Sequence, residues 1–245
     1  MKIKVSELFY SAQGEGRFVG VPSVFLRTFG CNFTCSGFGC APGVRSTEAD
    51  EVAKNVHLYS DFNSLPLVNT GCDSYASWHP EFKHLSPVYE TGEVIDRMLA
   101  LTPNHHWVQD NGNDVHLVIT GGEPLLQLDE SLISALHQRG FEVAIETNGT
   151  IKVPKGVDWV CVSPKAGSEL IVLQANELKL VVPQVGHDAL ENVMSRFEKM
   201  DYRNRFLQPM DGPNVKSNTE LAVGLCQKRP LWRLSIQSHK LIGIR

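Results

Sequence analysis

The stretch VHLVITGGEPLLQLDESLISALHQRGFEVAIETNG, residues 115–149, decides the fold class. Val115 to Thr120 is an apolar run short enough for a buried strand, and it stops at Gly121-Gly122-Glu123-Pro124. Leu128 to Arg139 carries helical spacing and is closed by Gly140, after which Glu142 to Thr147 reads as a second strand ending in Asn148-Gly149. Strand, helix, strand in this order gives two parallel strands joined by a right-handed crossover.

Working outward, the same punctuation recurs. Toward the C-terminus, strands are expected at Val157 to Ser163, Glu177 to Val182, Arg205 to Gln208 and Arg233 to Gln237. Helices are expected over His187 to Met200 and Asn218 to Gln227. Toward the N-terminus, Val94, Ile95, Met98 and Leu99 mark a helix, Val21 to Phe29 a strand, and Ile3 to Phe9 a short alternating stretch. The whole predicts one domain over 1–245, an incomplete (β/α) barrel of about six parallel strands. Its polar strand tips open on one edge: Gly121-Gly122-Glu123, Glu146-Thr-Asn148, Ser163-Pro-Lys165, Gln208-Pro-Met-Asp211 and Gln237-Ser-His239. In barrel-like folds that edge carries the active site.

Composition narrows the function classes. With 42% hydrophobic and 20% charged residues the chain can bury a sizeable core, which argues against disorder. A net charge of −4 gives no general attraction to nucleic acid or anionic membrane and leaves a small molecule as the easier partner. Met1-Lys-Ile-Lys-Val-Ser-Glu7 lacks the pattern of a secretory signal, and no apolar run approaches a membrane span, so the expected location is cytoplasmic. In that reducing compartment six cysteines do not read as a disulfide framework.

Four of the cysteines cluster, as Cys31-Asn-Phe-Thr-Cys35-Ser-Gly-Phe-Gly-Cys40 and, farther on, Gly71-Cys72-Asp73-Ser74. Residues 36–71 show no sustained period and exceed a plain connection, so they read as an insertion covering a site. Four thiolates suit a structural zinc; three suit an iron–sulfur cluster with one iron left open. Cys161 and Cys226 stand alone and read as small buried hydrophobes, while His79, His84, His116 and the pair His105-His106 lack ligand spacing.

Cys31-x3-Cys35 followed by Cys72-Asp73-Ser74-Tyr75-x-x-Trp78 resembles the radical S-adenosylmethionine signature, with the insertion lodged between its second and third cysteines. More narrowly, Gln13-Gly14-Glu15-Gly16, Arg27, Gly30-Cys31-Asn32, Thr120-Gly-Gly-Glu-Pro124 and Glu146-Thr-Asn-Gly149 resemble the 7-carboxy-7-deazaguanine synthase family. Ser163-Pro-Lys165, Glu177-Leu-Lys179, Gln208-Pro-Met-Asp211 and Gln237-Ser-His-Lys240 extend the likeness over nearly the whole chain. Two departures stand out: the cysteine loop is expanded to over thirty residues, and Ser74 replaces the family's usual threonine. Cys72 carries the Asp73-Ser74-Tyr75 context, which by the resemblance makes it the third ligand and leaves Cys40 spare.

The resemblance implies a lyase that converts 6-carboxy-5,6,7,8-tetrahydropterin to 7-carboxy-7-deazaguanine with loss of ammonia. It implies a 4Fe-4S cluster on Cys31, Cys35 and Cys72, S-adenosylmethionine (SAM), and Mg2+ at Ser74. Gly71, Asp73, Gly122, Glu123, Asn148, Ser163 and Lys165 would contact the cofactor, as would Gln208, Pro209, Met210 and Asp211. Ala12, Gln13, Gly14, Glu15, Arg27 and Thr120 would contact the pterin, together with His239 and the C-terminal Arg245. A guanidinium at Arg27 suits the substrate's carboxylate, and Glu15 suits its ring N–H edge. A homodimer and a flavodoxin- or ferredoxin-type reductant are further implications. The alternatives are another radical enzyme, such as a glycyl-radical activase, or a non-catalytic zinc-binding module. The insertion could also retune substrate choice or dock another protein.

Overall fold

The computed structural model describes residues 1–41, 43–66, 68–103, 115–184 and 187–244. The strands are β1 (Lys2–Ala12), β2 (Pro22–Thr28), β3 (Val88–Glu90), β4 (Val115–Gly121), β5 (Phe141–Thr147), β6 (Trp159–Val162), β7 (Gln174–Val182), β8 (Asp201–Pro209) and β9 (Arg233–Leu234). The described helices are α1 (Thr47–Lys54), α2 (Thr91–Leu101), α3 (Glu130–His137), α4 (His187–Glu198), α5 (Val215–Lys228) and α6 (Ser238–Ile242).

All strands form one nine-stranded sheet in the order β3-β1-β2-β4-β5-β6-β7-β8-β9. From β2 onward every pairing is parallel, so the parallel run holds seven strands rather than about six. The edge made by β1 and β3 is antiparallel. The last strand is shorter than expected, because only Arg233 and Leu234 meet the ladder of β8.

The deciding stretch folds as its pattern requires. Asp129 caps α3 by accepting from the Leu132 N–H at 2.8 Å, and Leu132, Ile133 and Leu136 bury its apolar stripe. Alternate residues of each strand face opposite ways. Leu117, Ile119, Val143, Ile145, Val162, Leu178 and Leu180 join the large core under the helices. The opposite, concave face carries the smaller cluster of Phe9, Phe25, Val118 and Ala144.

That concave face is plugged by the β1–β2 connection. Phe18 stacks edge-on against Trp159 at 4.7 Å between ring centroids and sits 4.4 Å from the ring of His116. His116 is buried and bonds Glu142 at 3.0 Å, a packing role. His105-His106 lie outside the described residues.

Residues 36–71 are not irregular throughout, which corrects the sequence reading. Ser46 caps the eight-residue helix α1, whose Ala49, Val52 and Ala53 pack with Val56, Tyr75 and Phe82 into a satellite core. Glu48 holds the returning chain by accepting from the N–H groups of Asn69 and Thr70 at 2.8 and 3.1 Å.

Candidate active site

Gly30, at the end of β2, adopts a positive φ of 116° and feeds the chain directly into Cys31. The insertion is pinched off a few residues later. Phe38 and Gly71 form an isolated antiparallel bridge with hydrogen bonds of 2.8 and 2.7 Å, so the chain returns to its own starting point and Cys72 is delivered beside Cys35. Gly37 makes this closure possible, since it has φ +78° and any Cβ there would run into the backbone of Gly71.

The thiols of Cys31, Cys35 and Cys72 lie within electrostatic reach of one another. Burial, helped by the two neighbouring thiols, pushes Cys31 up to about 11 against a hydrogen bond from the Phe33 N–H. Burial likewise raises Cys35, with Cys72 adding to the shift and Lys165 opposing it. Trp78 donates its indole N–H to Cys72 Sγ at 3.4 Å, and the Ser74 hydroxyl stands 3.6 Å from the same sulfur. Cys40 sits on the insertion side of the Phe38–Gly71 neck.

Three grouped soft donors fit an iron–sulfur cluster. Among the described residues no three His, Cys, Asp or Glu side chains converge as ligands of a single metal ion.

The strand tips close around the thiols. Gly122 presses on the cysteine loop: a Cβ would collide with the Gly30 carbonyl and approach Cys31 Cβ to 2.9 Å. Glu123 donates its backbone N–H to Gly30 at 2.8 Å. Its carboxylate is buried and accepts from Thr147 Oγ1 and the Asn148 N–H, both at 2.8 Å, and from the Leu125 N–H at 3.1 Å. Glu123 therefore braces β4 to β5 and presents little free carboxylate. Asn148 donates to Asn32 at 2.8 Å, fastening the β5 tip to the cysteine loop. Ser163 accepts from Lys165 Nζ at 3.2 Å, and Lys165 reaches the field of both Cys35 and Glu123.

Gln208 is buried and accepts from Ser235 at 3.2 Å; Pro209 ends β8, and the Met210 carbonyl accepts from Asn218 at 2.8 Å. Asp211 and Asp73 share Lys240, whose Nζ lies 2.6 and 3.0 Å from their oxygens. Gln237 adds a bond to Asp73 at 3.3 Å. The C-terminal segment thus ties the third-cysteine turn to the β8 tip. These roles for Gln237 and Lys240 were not assigned from sequence, although both belong to the quoted Gln-Ser-His-Lys motif.

The concave face beside the mouth is charged. Register places Arg27 next to Thr120, and Arg27 pairs with Glu7 at 3.5 Å while lying over the Phe9 ring. Ala12 ends β1, paired with Pro22. Gln13 turns its amide oxygen onto the Gly14 N–H at 2.8 Å, and the Gly14 backbone packs directly against the His239 ring. Burial pushes the His239 imidazole below its ordinary value against the pull of Glu15.

Glu15 bonds Lys179 and accepts from Gln237 at 2.7 Å. Burial alone would raise its carboxyl, but Lys179 and Gln237 hold it at about 2. Lys179 also bonds Glu146 at 2.9 Å. Cys161 is buried as expected, though beside Glu177 rather than in apolar surroundings; Cys226 packs on the main core. Arg245 lies outside the described residues.

No family model matches the chain. It is 42% identical over 245 residues to a 7-carboxy-7-deazaguanine synthase of Bradyrhizobium diazoefficiens, covering all of both chains. It is 40% identical over 246 residues to the synthase of Caulobacter vibrioides, again end to end. The crystal structure of QueE from Escherichia coli superposes with a TM-score of 0.61 at 27% identity, covering 98% of this chain and 95% of that one.

Proposed function

The chain belongs to the 7-carboxy-7-deazaguanine synthase family, and on that premise we propose how its own residues divide the work. The reaction takes 6-carboxy-5,6,7,8-tetrahydropterin to 7-carboxy-7-deazaguanine with release of ammonia, in queuosine-type biosynthesis. When bound, the 4Fe-4S cluster and SAM supply one-electron radical chemistry, and Mg2+ supplies a Lewis acid for the substrate's oxygens.

Cys31, Cys35 and Cys72 would hold the cluster. The Gly71–Asp73 turn, the Gly122 backbone, Asn148, Ser163, Lys165 and the Gln208–Asp211 tip wall the cofactor, and Glu123 acts by fixing two of those tips. Ser74 offers the hard oxygen for Mg2+. Ala12 to Glu15, Arg27, Thr120 and His239 bind the pterin; the contact expected from Arg245 lies outside the described residues. Arg27 takes the carboxylate and Glu15 orients the ring. The observation that carries this reading is the Phe38–Gly71 bridge, which turns a sequence separation of over thirty residues into three neighbouring thiols.

The finer assignments belong to the same proposal: one domain over 1–245, a cytoplasmic location, and a flavodoxin- or ferredoxin-type electron donor. A homodimer is favoured by the exposed apolar Leu241 and Ile242 of α6. The test is anaerobic turnover of reconstituted protein with dithionite, SAM, Mg2+ and the pterin, followed by mass spectrometry. Product that requires every component is expected. SAM cleavage without that product would overturn the substrate assignment.

A further inference from the structure

The Glu177-Leu-Lys179 motif has no part in the division of labour above, yet it places the most deeply buried cation of the site. Lys179 is 3% exposed on β7 and faces the concave side, opposite to Leu178 and Leu180 in the main core. Its ammonium joins Glu15, from the β1–β2 connection, to Glu146, from the tip of β5. Both carboxylates adjoin the residues proposed for the pterin. Glu15 follows Gln13 and Gly14, Gln13 Nε2 reaches Glu146 at 3.4 Å, and register carries Arg27 to Thr120 and on toward Glu146.

Stability alone is a weak reason for such a buried ion pair, because apolar replacements of similar volume are often neutral or better. Chemistry gives a stronger one. Two carboxylates facing one buried site cannot both stay ionised without a cation, and a protonated carboxyl presents a donor where the ring of a pterin needs acceptors for its N–H groups. Each carboxylate oxygen can accept more than one hydrogen bond, so those already turned to Lys179, Gln237 and Gln13 retain capacity.

We propose that Lys179 is a positioning residue for the substrate: it keeps Glu15 and Glu146 together as anionic acceptors for the N–H edge of the pterin, while Arg27 takes the carboxylate. This rests on the functional reading above. The groups facing Lys179 are Glu15, Glu146, Glu177 on its own strand and Cys161 on β6; Glu15 also feels His239. Burial would push the Lys179 ammonium down, but Glu146 and Glu15 outweigh it and hold it well above the usual lysine range.

The test compares wild type, Lys179→Met and Lys179→Arg as reconstituted holoproteins. Affinity for the pterin and for SAM is measured without reductant from pH 6 to 9, and KM and kcat with it. Loss of the cation should weaken pterin affinity roughly tenfold or more, leave SAM affinity in place, and move the acid limb of pterin binding upward. Lys179→Arg should restore much of the affinity. Unchanged pterin affinity and pH profile in Lys179→Met, or equal loss for both ligands, would overturn the proposal in favour of a merely structural lysine. If Lys179→Met does not fold, Glu146→Gln serves: weaker pterin binding without a moved acid limb is expected, and unaltered binding overturns the proposal. Wild-type protein that makes no product would instead overturn the functional reading, and this inference with it.

Discussion

Gly122 shows how narrow the tolerances at the mouth are. Its α-hydrogen faces the Gly30 carbonyl, so Gly122→Ala must displace either the β4 tip or the cysteine loop, at a cost of about 1–3 kcal/mol. We expect this variant to keep its overall fold by circular dichroism and to retain far less iron after reconstitution. Trp78 offers a gentler probe. Hydrogen bonds to cluster sulfurs help set the reduction potential, so Trp78→Phe, which loses the bond to Cys72, should keep its iron and shift the potential to more negative values in a redox titration followed by electron paramagnetic resonance.

Glu15 links the site to pH. Its folded value of about 2 lies below the ordinary 4.5, so its stabilising contribution is complete above 4.5 and is lost as pH falls toward 2. The stability gap between wild type and Glu15→Gln, read from denaturant midpoints, should therefore shrink across that window. A constant gap would contradict the assignment. At this scale the glycine pair and the cysteines were legible, because a strand tip and a thiolate carry their chemistry in the residue itself. Lys179 was not, because its partners lie 164 and 33 positions away.

The insertion behaves as an element with its own small core, attached through a neck. Gly37→Ala should cost about 1–3 kcal/mol through a positive φ alone, and more through collision with Gly71. Because the satellite core is separate from the main one, thermal unfolding of the main sheet should move little while cluster loading falls sharply. Helix α1 escaped sequence reading for a physical reason. It buries two alanines and one valine, so its apolar stripe is faint. Strand β3 has only three residues and is defined by its pairing with β1. Long strands such as β4 and β5, buried on both faces, announced themselves.

Across the whole molecule, the sheet separates stability from chemistry. The helix-covered face holds the large core, and the concave face and strand tips hold the charges. The chain's C-terminal segment then joins parts far apart in sequence, with Lys240 clipping Asp73 to Asp211 and Ser238 bonding the Gly14 carbonyl at 3.0 Å. Lys240→Ala should leave the fold intact and weaken SAM binding, measured by equilibrium dialysis, since it frees both the third-cysteine turn and the β8 tip. The order of the strand tips was readable because each parallel strand ends in a polar or glycine-rich signal. The plug formed by Phe18 was not, since nothing local distinguishes a loop that folds inward.

The central claim is that the neck at Phe38 and Gly71 makes Cys72, and not Cys40, the third cluster ligand. The most direct measurement is anaerobic reconstitution of wild type, Cys40→Ser and Cys72→Ser, with iron quantified and the reduced cluster's paramagnetic signal recorded with and without SAM. The expected result is about four irons per chain and a SAM-dependent change of signal in wild type and Cys40→Ser, with both lost in Cys72→Ser. Loss in Cys40→Ser with retention in Cys72→Ser would contradict it.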